Sequence, residues 1–126
     1  MPSIVVTYSP NLVGEFDESK LAIALNKRAQ ELGVFPSWGI RVFVVPATAA
    51  SVAEESQGSG YVQVAARIAP GRSEELQTQI THELFMVLEE HLRHIKSRTI
   101  GYAVDVSEFN RANYESGGNL AGSPTA

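Results

Sequence analysis

The sequence predicts an α/β protein of the two-layer α+β kind. A βαβ unit occurs twice in tandem and builds a four-stranded mixed sheet with two helices on one face. Three observations predict this. Four short runs rich in apolar or β-branched residues (3–8, 39–45, 61–68 and 99–106) have the length and composition of strands. Within each pair of runs, between its two members, apolar residues recur at helical spacing. A small, polar, Gly/Ser-rich stretch from Ala47 to Gly60 separates the two sets.

Each element follows from local chemistry. Ser3 to Tyr8 is a β-branched run, broken by Ser9-Pro10-Asn11. Asp17 is placed to cap a helix whose apolar stripe is Leu21, Ala24, Leu25, Ala29 and Leu32, and Gly33 is a natural stop. Gly39 to Val45 is the second strand, ended by Pro46. The connector that follows is expected to hold a short helical turn at 49–55. Tyr61 to Ile68 is the third strand, and Ala69-Pro70-Gly71 turns the chain. Ser73 caps a second helix whose first turn carries Glu74 and Glu75, favourable near the positive end of the macrodipole. Its stripe reads Leu76, Ile80, Leu84, Val87, Leu88, His91 and Ile95. Thr99 to Val106 is the fourth strand.

Each crossover should be right-handed and join parallel strands. The expected domain spans 1–111, with βαβ units at about 2–46 and 60–107. Residues 112–126, rich in glycine and polar spacers, are expected as a loose tail or an intersubunit arm. Two helices cover one sheet face only. The runs Ile4-Val5-Val6 and Val42-Phe43-Val44-Val45 are apolar on both sides, so the other face is expected to close by oligomerisation.

Composition narrows the function. With 44% hydrophobic and 19% charged residues, the 126-residue chain is an ordinary globular domain. No apolar run approaches the ~20 residues of a membrane span. The start of the chain lacks a signal-peptide pattern, so the cytoplasm is the expected compartment. Zero cysteines exclude disulfides and thiolate metal sites. A net charge of −4 argues against sequence-independent nucleic-acid binding, but not against an anionic small molecule held by local arginines.

Three residues carry potential chemistry. Removal of Met1 makes Pro2 the amino terminus, a secondary amine at the start of an apolar strand. Burial and nearby cations disfavour its ammonium form, and a neutral amine near pH 7 serves as a general base. The plain alternative is that a small residue after Met1 simply permits methionine removal. Arg41 lies between Ile40 and Val42 in an apolar strand, where a guanidinium needs a partner. That partner is either a structural carboxylate or the carboxylate of a ligand gripped by the planar fork. Arg72 sits in a Gly-containing turn before a helix start, where backbone N–H groups also favour anions; the alternative is a solvated turn residue. Phe35, Trp38 and Tyr102 offer apolar walls or core packing, and the Tyr102 ring faces either the site or an oligomer contact.

Other motifs lead nowhere. His82-Glu83 lacks the second histidine of a zinc motif, because Met86 stands in its place. His91 and His94 have no partner at metal-ligand spacing. Gly58-Ser59-Gly60 reads as a connector and not as a phosphate loop.

Met1-Pro2 before a strand, Gly33-Val34-Phe35-Pro36 with Gly39-Ile40-Arg41, and the turn Gly71-Arg72-Ser73 before an acidic helix start occur here in fixed order. In these features, over about residues 2–109, the chain resembles the tautomerase superfamily, and most closely the 5-carboxymethyl-2-hydroxymuconate isomerases. The resemblance implies a cofactor-independent isomerase, with no metal, acting on a small unsaturated oxo or hydroxy acid of the 2-hydroxymuconate type. It implies Pro2 as the acid/base, Arg41 and Arg72 as substrate-binding residues, and a homotrimer. Two alternatives share the scaffold: another enzyme of the superfamily, such as a phenylpyruvate-type tautomerase or a hydratase, and a noncatalytic ferredoxin-like binding module.

Overall fold

A computed structural model describes residues 1–124; the last two residues of the expected tail, 125 and 126, lie outside the described residues. Six main elements follow one another: β1 (Ser3–Tyr8), α1 (Glu18–Glu31), β2 (Arg41–Pro46), β3 (Gly60–Ile68), α2 (Glu74–Leu92) and β4 (Ile100–Glu108). The sheet order is β2-β1-β3-β4. Each helical crossover joins a parallel pair, β1 with β2 and β3 with β4. The two units meet through β1 and β3, which run antiparallel with Ser3 opposite Arg67. The sheet is therefore mixed, and the first strand of the chain lies in its middle.

Period-2 alternation sends Ile4, Val6 and Tyr8 of β1 and Val62, Val64, Ala66 and Ile68 of β3 into the helical layer, where all are buried. They meet Leu21, Leu25 and Ala29 of α1 and Ile80, Leu84, Val87 and Leu88 of α2. Both caps form: Asp17 accepts from the Lys20 N–H at 2.9 Å, and Ser73 from the Leu76 N–H at 3.1 Å. Arg28 of α1 donates to Glu83 of α2 at 2.6 Å and ties the helices together.

Several boundaries depart from the sequence reading. β2 begins at Arg41 instead of Gly39, because Pro36 leads Ser37–Gly39 into a 3-10 turn. The helical turn expected at 49–55 forms instead at Glu55–Gln57, closed by Gly58 at φ +63°. A short alanine-rich stretch does not repay helix nucleation without tertiary contacts. α2 ends at Leu92, which takes the buried position assigned to His91; the His91 ring is half-buried and bonds the Val87 carbonyl through Nδ1 at 2.9 Å. β4 runs on to Glu108 because β3 offers a partner as far as Ile68.

The second sheet face carries no helix. Its β2 and β1 portion holds an apolar stripe of Phe43 (54% exposed), Val45 (46%) and Val5 beside the polar Ser3, Thr7 and Arg41. Its β3 and β4 portion is mixed, with Gln63, Ala65, Arg67, Ala103, Asp105 and Ser107. The apolar stripe on this face is thus narrower than the strand sequences alone imply.

The buried sheet–helix contact should dominate stability. Leu84→Ala, at a 1%-exposed position, is expected to cost about 2–5 kcal/mol in urea unfolding. Ser73→Ala should cost only about 0.5–2 kcal/mol through the lost cap.

Candidate active site

The site is built where β1 begins. Pro2 is buried, and its carbonyl accepts from the Arg41 N–H at 3.2 Å, which extends the β1–β2 ladder by one residue. Met1 lies just outside. A Cβ on Gly39 would stand 2.5 Å from the Met1 sulfur, so the methionine side chain uses the space that glycine leaves.

Arg41 opens β2, half-buried. Its Nε donates to the Gly39 carbonyl at 3.2 Å, and its terminal nitrogen to the Met1 carbonyl at 3.5 Å. Arg72 approaches from the β3–α2 loop. Its fork donates to the Ala69 carbonyl at 3.0 Å and the Val34 carbonyl at 2.7 Å, and its guanidinium lies 4.8 Å over the Phe35 ring. Gly71, at φ +107°, makes the turn, and its N–H donates to Glu108 at 3.0 Å. A side chain with a Cβ is strained at that φ.

Two cavities share Met1. One, of about 430 Å³, is lined by Pro36, Ala69, Arg72, Arg111 and Tyr114 among others. The second, of about 230 Å³, is lined by Trp38, Gly39, Arg41 and the returning C-terminal segment, including Leu120. Among the described residues, the ion pairs within 4 Å are Arg28–Glu31 and Arg28–Glu83. Among those residues, Arg41, Arg72 and Arg111 have no acidic partner at that distance. The N-terminal amine feels this field. Burial lowers its pKa from the ordinary 8.0, and the charges of Arg72, Arg41 and Arg111 lower it further, in that order.

Of the residues singled out in the sequence, Pro2, Arg41, Arg72, Phe35 and Trp38 come together here. Tyr102 does not join them. Alternation on β4 turns its ring into the helical layer, 5.5 Å from the Phe85 ring, with its hydroxyl donating to Glu89 at 3.1 Å. It also pairs with Val62, at the far end of the sheet from Pro2. Arg111 and Tyr114 escaped the sequence reading because they follow the last strand, in a stretch without apolar periodicity. The available signal was Asn110, a capping residue beside an arginine between two aromatics, Phe109 and Tyr114.

A separate cavity of about 420 Å³ lies at the opposite end of β1, lined by Thr7, Tyr8, Ser9, Tyr61, Gln63 and the connector. It has no charged lining residue. The Tyr8 hydroxyl donates to Glu18 at 2.5 Å, and burial followed by that carboxylate pushes its pKa up to about 12. It stays protonated at neutral pH and offers no base. Among the described residues, no group of three or more His, Cys, Asp or Glu is arranged to hold a metal. None of the described helices is long and apolar enough to cross a membrane.

Solved structures share this architecture. A 5-carboxymethyl-2-hydroxymuconate isomerase from Deinococcus radiodurans superposes with a TM-score of 0.86 at 27% identity, covering 94% of this chain and 90% of that one. A 5-carboxymethyl-2-hydroxymuconate delta-isomerase gives 0.87 at 23% identity, with 95% and 90% covered. A fused 4-OT described as an asymmetric trimer gives 0.67 at 16% identity, with 94% and 95% covered. No curated protein sequence matches the chain. The fold is that of the tautomerase superfamily. Within it, the chain belongs to the 5-carboxymethyl-2-hydroxymuconate isomerase family, whose model matches residues 2–121, and it is an isomerase.

The electrostatics set a testable titration. We expect the N-terminal amine to titrate below 8.0, and Arg72→Gln to raise its pKa by removing the strongest of the repelling charges. A lowered amine pKa means that the unfolded chain holds more protons between the folded value and about 8. Stability should therefore rise with pH across that window and level off above it. NMR titration of the labelled N-terminal residue, with pH-dependent unfolding, checks both.

Proposed function

We propose that the chain, after loss of Met1, isomerises a 2-hydroxymuconate-type unsaturated acid bearing two or three carboxylates, resembling 5-carboxymethyl-2-hydroxymuconate, with the Pro2 amine as acid and base. The observation that carries this is the convergence of the N-terminus with Arg41, Arg72 and Arg111, none of them neutralised by an acidic residue among those described. Unpaired guanidiniums beside a half-desolvated amine suit an anionic substrate.

The chemistry follows from the charges. The same burial and the same arginines that depress the Met1 amine would act on the Pro2 amine and keep it neutral near pH 7. A neutral Pro2 takes the proton from the 2-hydroxyl of the dienol. The oxygen becomes an oxyanion and then the 2-oxo group as electron density moves along the conjugated chain. The ammonium of Pro2 returns that proton to the distant carbon, and the amine is regenerated. Arg72, with its fork held by two carbonyls and the Phe35 ring, is fitted to face the developing oxyanion. Arg41, across the amine, is fitted to grip a carboxylate.

The bare sheet face calls for a partner copy. Phe43, Val45 and Val5 form an apolar stripe too narrow to need a membrane and well suited to a second sheet. The fused 4-OT with the same fold is a trimer by its description, and we propose that this chain closes its open face in the same threefold way.

Four outcomes are expected. Intact mass of active protein should lack Met1, and a preparation that fully retains Met1 should be inert. Pro2→Ala should lower turnover of the 2-hydroxymuconates by about 10²-fold or more, followed in the ultraviolet, with substrate binding preserved. Arg41→Ala should mainly raise KM, and Arg72→Ala mainly lower kcat, each by about 10–100-fold for a lost charge-assisted hydrogen bond of about 1.5–3 kcal/mol. Near-normal kinetics in all three variants would remove the proposal. Light scattering should give a trimer mass, and Phe43→Asp should shift it toward monomer.

A further inference from the structure

We infer that Arg111 is a third anion-binding residue of this site, selecting an acid with three carboxylates over one with two; the inference rests on the acid/base reading of Pro2 above.

Arg111 opens a 3-10 turn, Arg111–Asn113, just past β4. The backbone on either side is fixed. The Asn110 side chain accepts from the Ala112 N–H at 3.0 Å, and the Asn113 N–H closes back on the Asn110 carbonyl at 3.2 Å. Phe109 is buried, donates its N–H to the Ile68 carbonyl at 3.0 Å, and stacks on Tyr114 with ring centroids 4.0 Å apart. The turn is thus clamped between a strand end and a stacked aromatic pair. The guanidinium it presents has no hydrogen bond or ion pair among the described residues.

That guanidinium lines the same cavity of about 430 Å³ as Arg72. Both cations line one space, and none of the residues lining it is acidic. A linear 2-hydroxy diacid engages one arginine in each cavity: Arg41 in the smaller grips the far carboxylate, and Arg72 in the larger faces the 2-oxygen and the carboxylate adjoining it. Arg111 is surplus to that arrangement. The surplus cation matches a further carboxylate branching inside the larger cavity, where volume allows it. A third carboxylate at Arg111 would pair the fork that has no partner among the described residues, while Arg72 keeps its bonds to the Ala69 and Val34 carbonyls.

A purely electrostatic effect on the amine predicts something different. Arg111 is the last of the three arginines acting on that amine. Its removal would then shift the pH profile equally for every substrate and would not discriminate between them.

The test compares kcat/KM for 5-carboxymethyl-2-hydroxymuconate, with three carboxylates, and 2-hydroxymuconate, with two. Arg111→Gln is expected to lower the value for the tricarboxylate about 10–100-fold, mainly through KM, the range of a lost charge-assisted pair. The loss for the dicarboxylate should be smaller by about 10-fold or more, and Arg111→Lys should recover part of the tricarboxylate loss, since it keeps the charge without the fork. Calorimetry with 1,2,3-propanetricarboxylate and glutarate reads binding without turnover, and the preference for the former should vanish in Arg111→Gln. Equal losses on both substrates, or none, overturn the inference while leaving the Pro2 reading intact. A wild-type chain that turns over neither acid but binds the tricarboxylate through Arg111 overturns the Pro2 reading and leaves the anion site standing. Absence of both turnover and binding preference removes both.

Discussion

The hydrogen bonding of β1 on both edges is the constraint from which the rest of the structure follows. β2 pairs with one edge in parallel and β3 with the other in antiparallel fashion. A chain terminus normally frays at the surface. Here the first residues begin a central strand, so Pro2 is buried and its carbonyl is held by the β2 backbone. The loops that leave the neighbouring strand ends must then pass the terminus. β2 enters with Arg41, and the loop after β3 brings Arg72. The turn after β4 brings Arg111. A fixed amine with cations delivered from three different connections is a property of this strand order.

Electrostatics explain why the same place is chemically useful. The chain is acidic overall, with a formal charge of −4. The helical layer uses its carboxylates, as in the Arg28–Glu83 bridge between the helices. At the mouth of β1 the balance is reversed: Arg41 and Arg72 donate to carbonyls, and no acidic residue is among those lining the two cavities. Carbonyl contacts orient a guanidinium without cancelling its charge, so Arg72 is both pinned by Val34 and Ala69 and free to attract an anion. The stacking of its guanidinium on Phe35 adds a dry floor.

Much of this was legible in the sequence because the deciding signals were local. β-branched runs and turn residues located β1 residue for residue, and Asp17 and Ser73 marked both helix starts. Pro2, Arg41 and Arg72 stood out as polar or special residues in apolar or glycine-rich surroundings. What was not legible depended on packing across the chain. His91 and Leu92 compete for one helical stripe, and only the facing core decides between them. Strand alternation alone does not say which face of β4 Tyr102 takes, because that depends on its register with β3. Arg111 carries no local mark in the sequence; its place beside the terminus comes from Phe109 and Tyr114 stacking around its turn.

The central placement of β1 also has a consequence in time. Ser3 finds its antiparallel partner in Arg67, far along the chain. A ribosome adding about 5–20 residues per second needs several seconds to reach that partner. Until then Met1 and Pro2 have no β3 edge to lie against, and non-local pairing of this kind is slow to form in any case. Removal of Met1, as proposed above, would have this interval in which the first peptide bond is open. Once the sheet closes, the same bond lies against Gly39 and Arg41. The order of synthesis thus gives trimming a head start over folding.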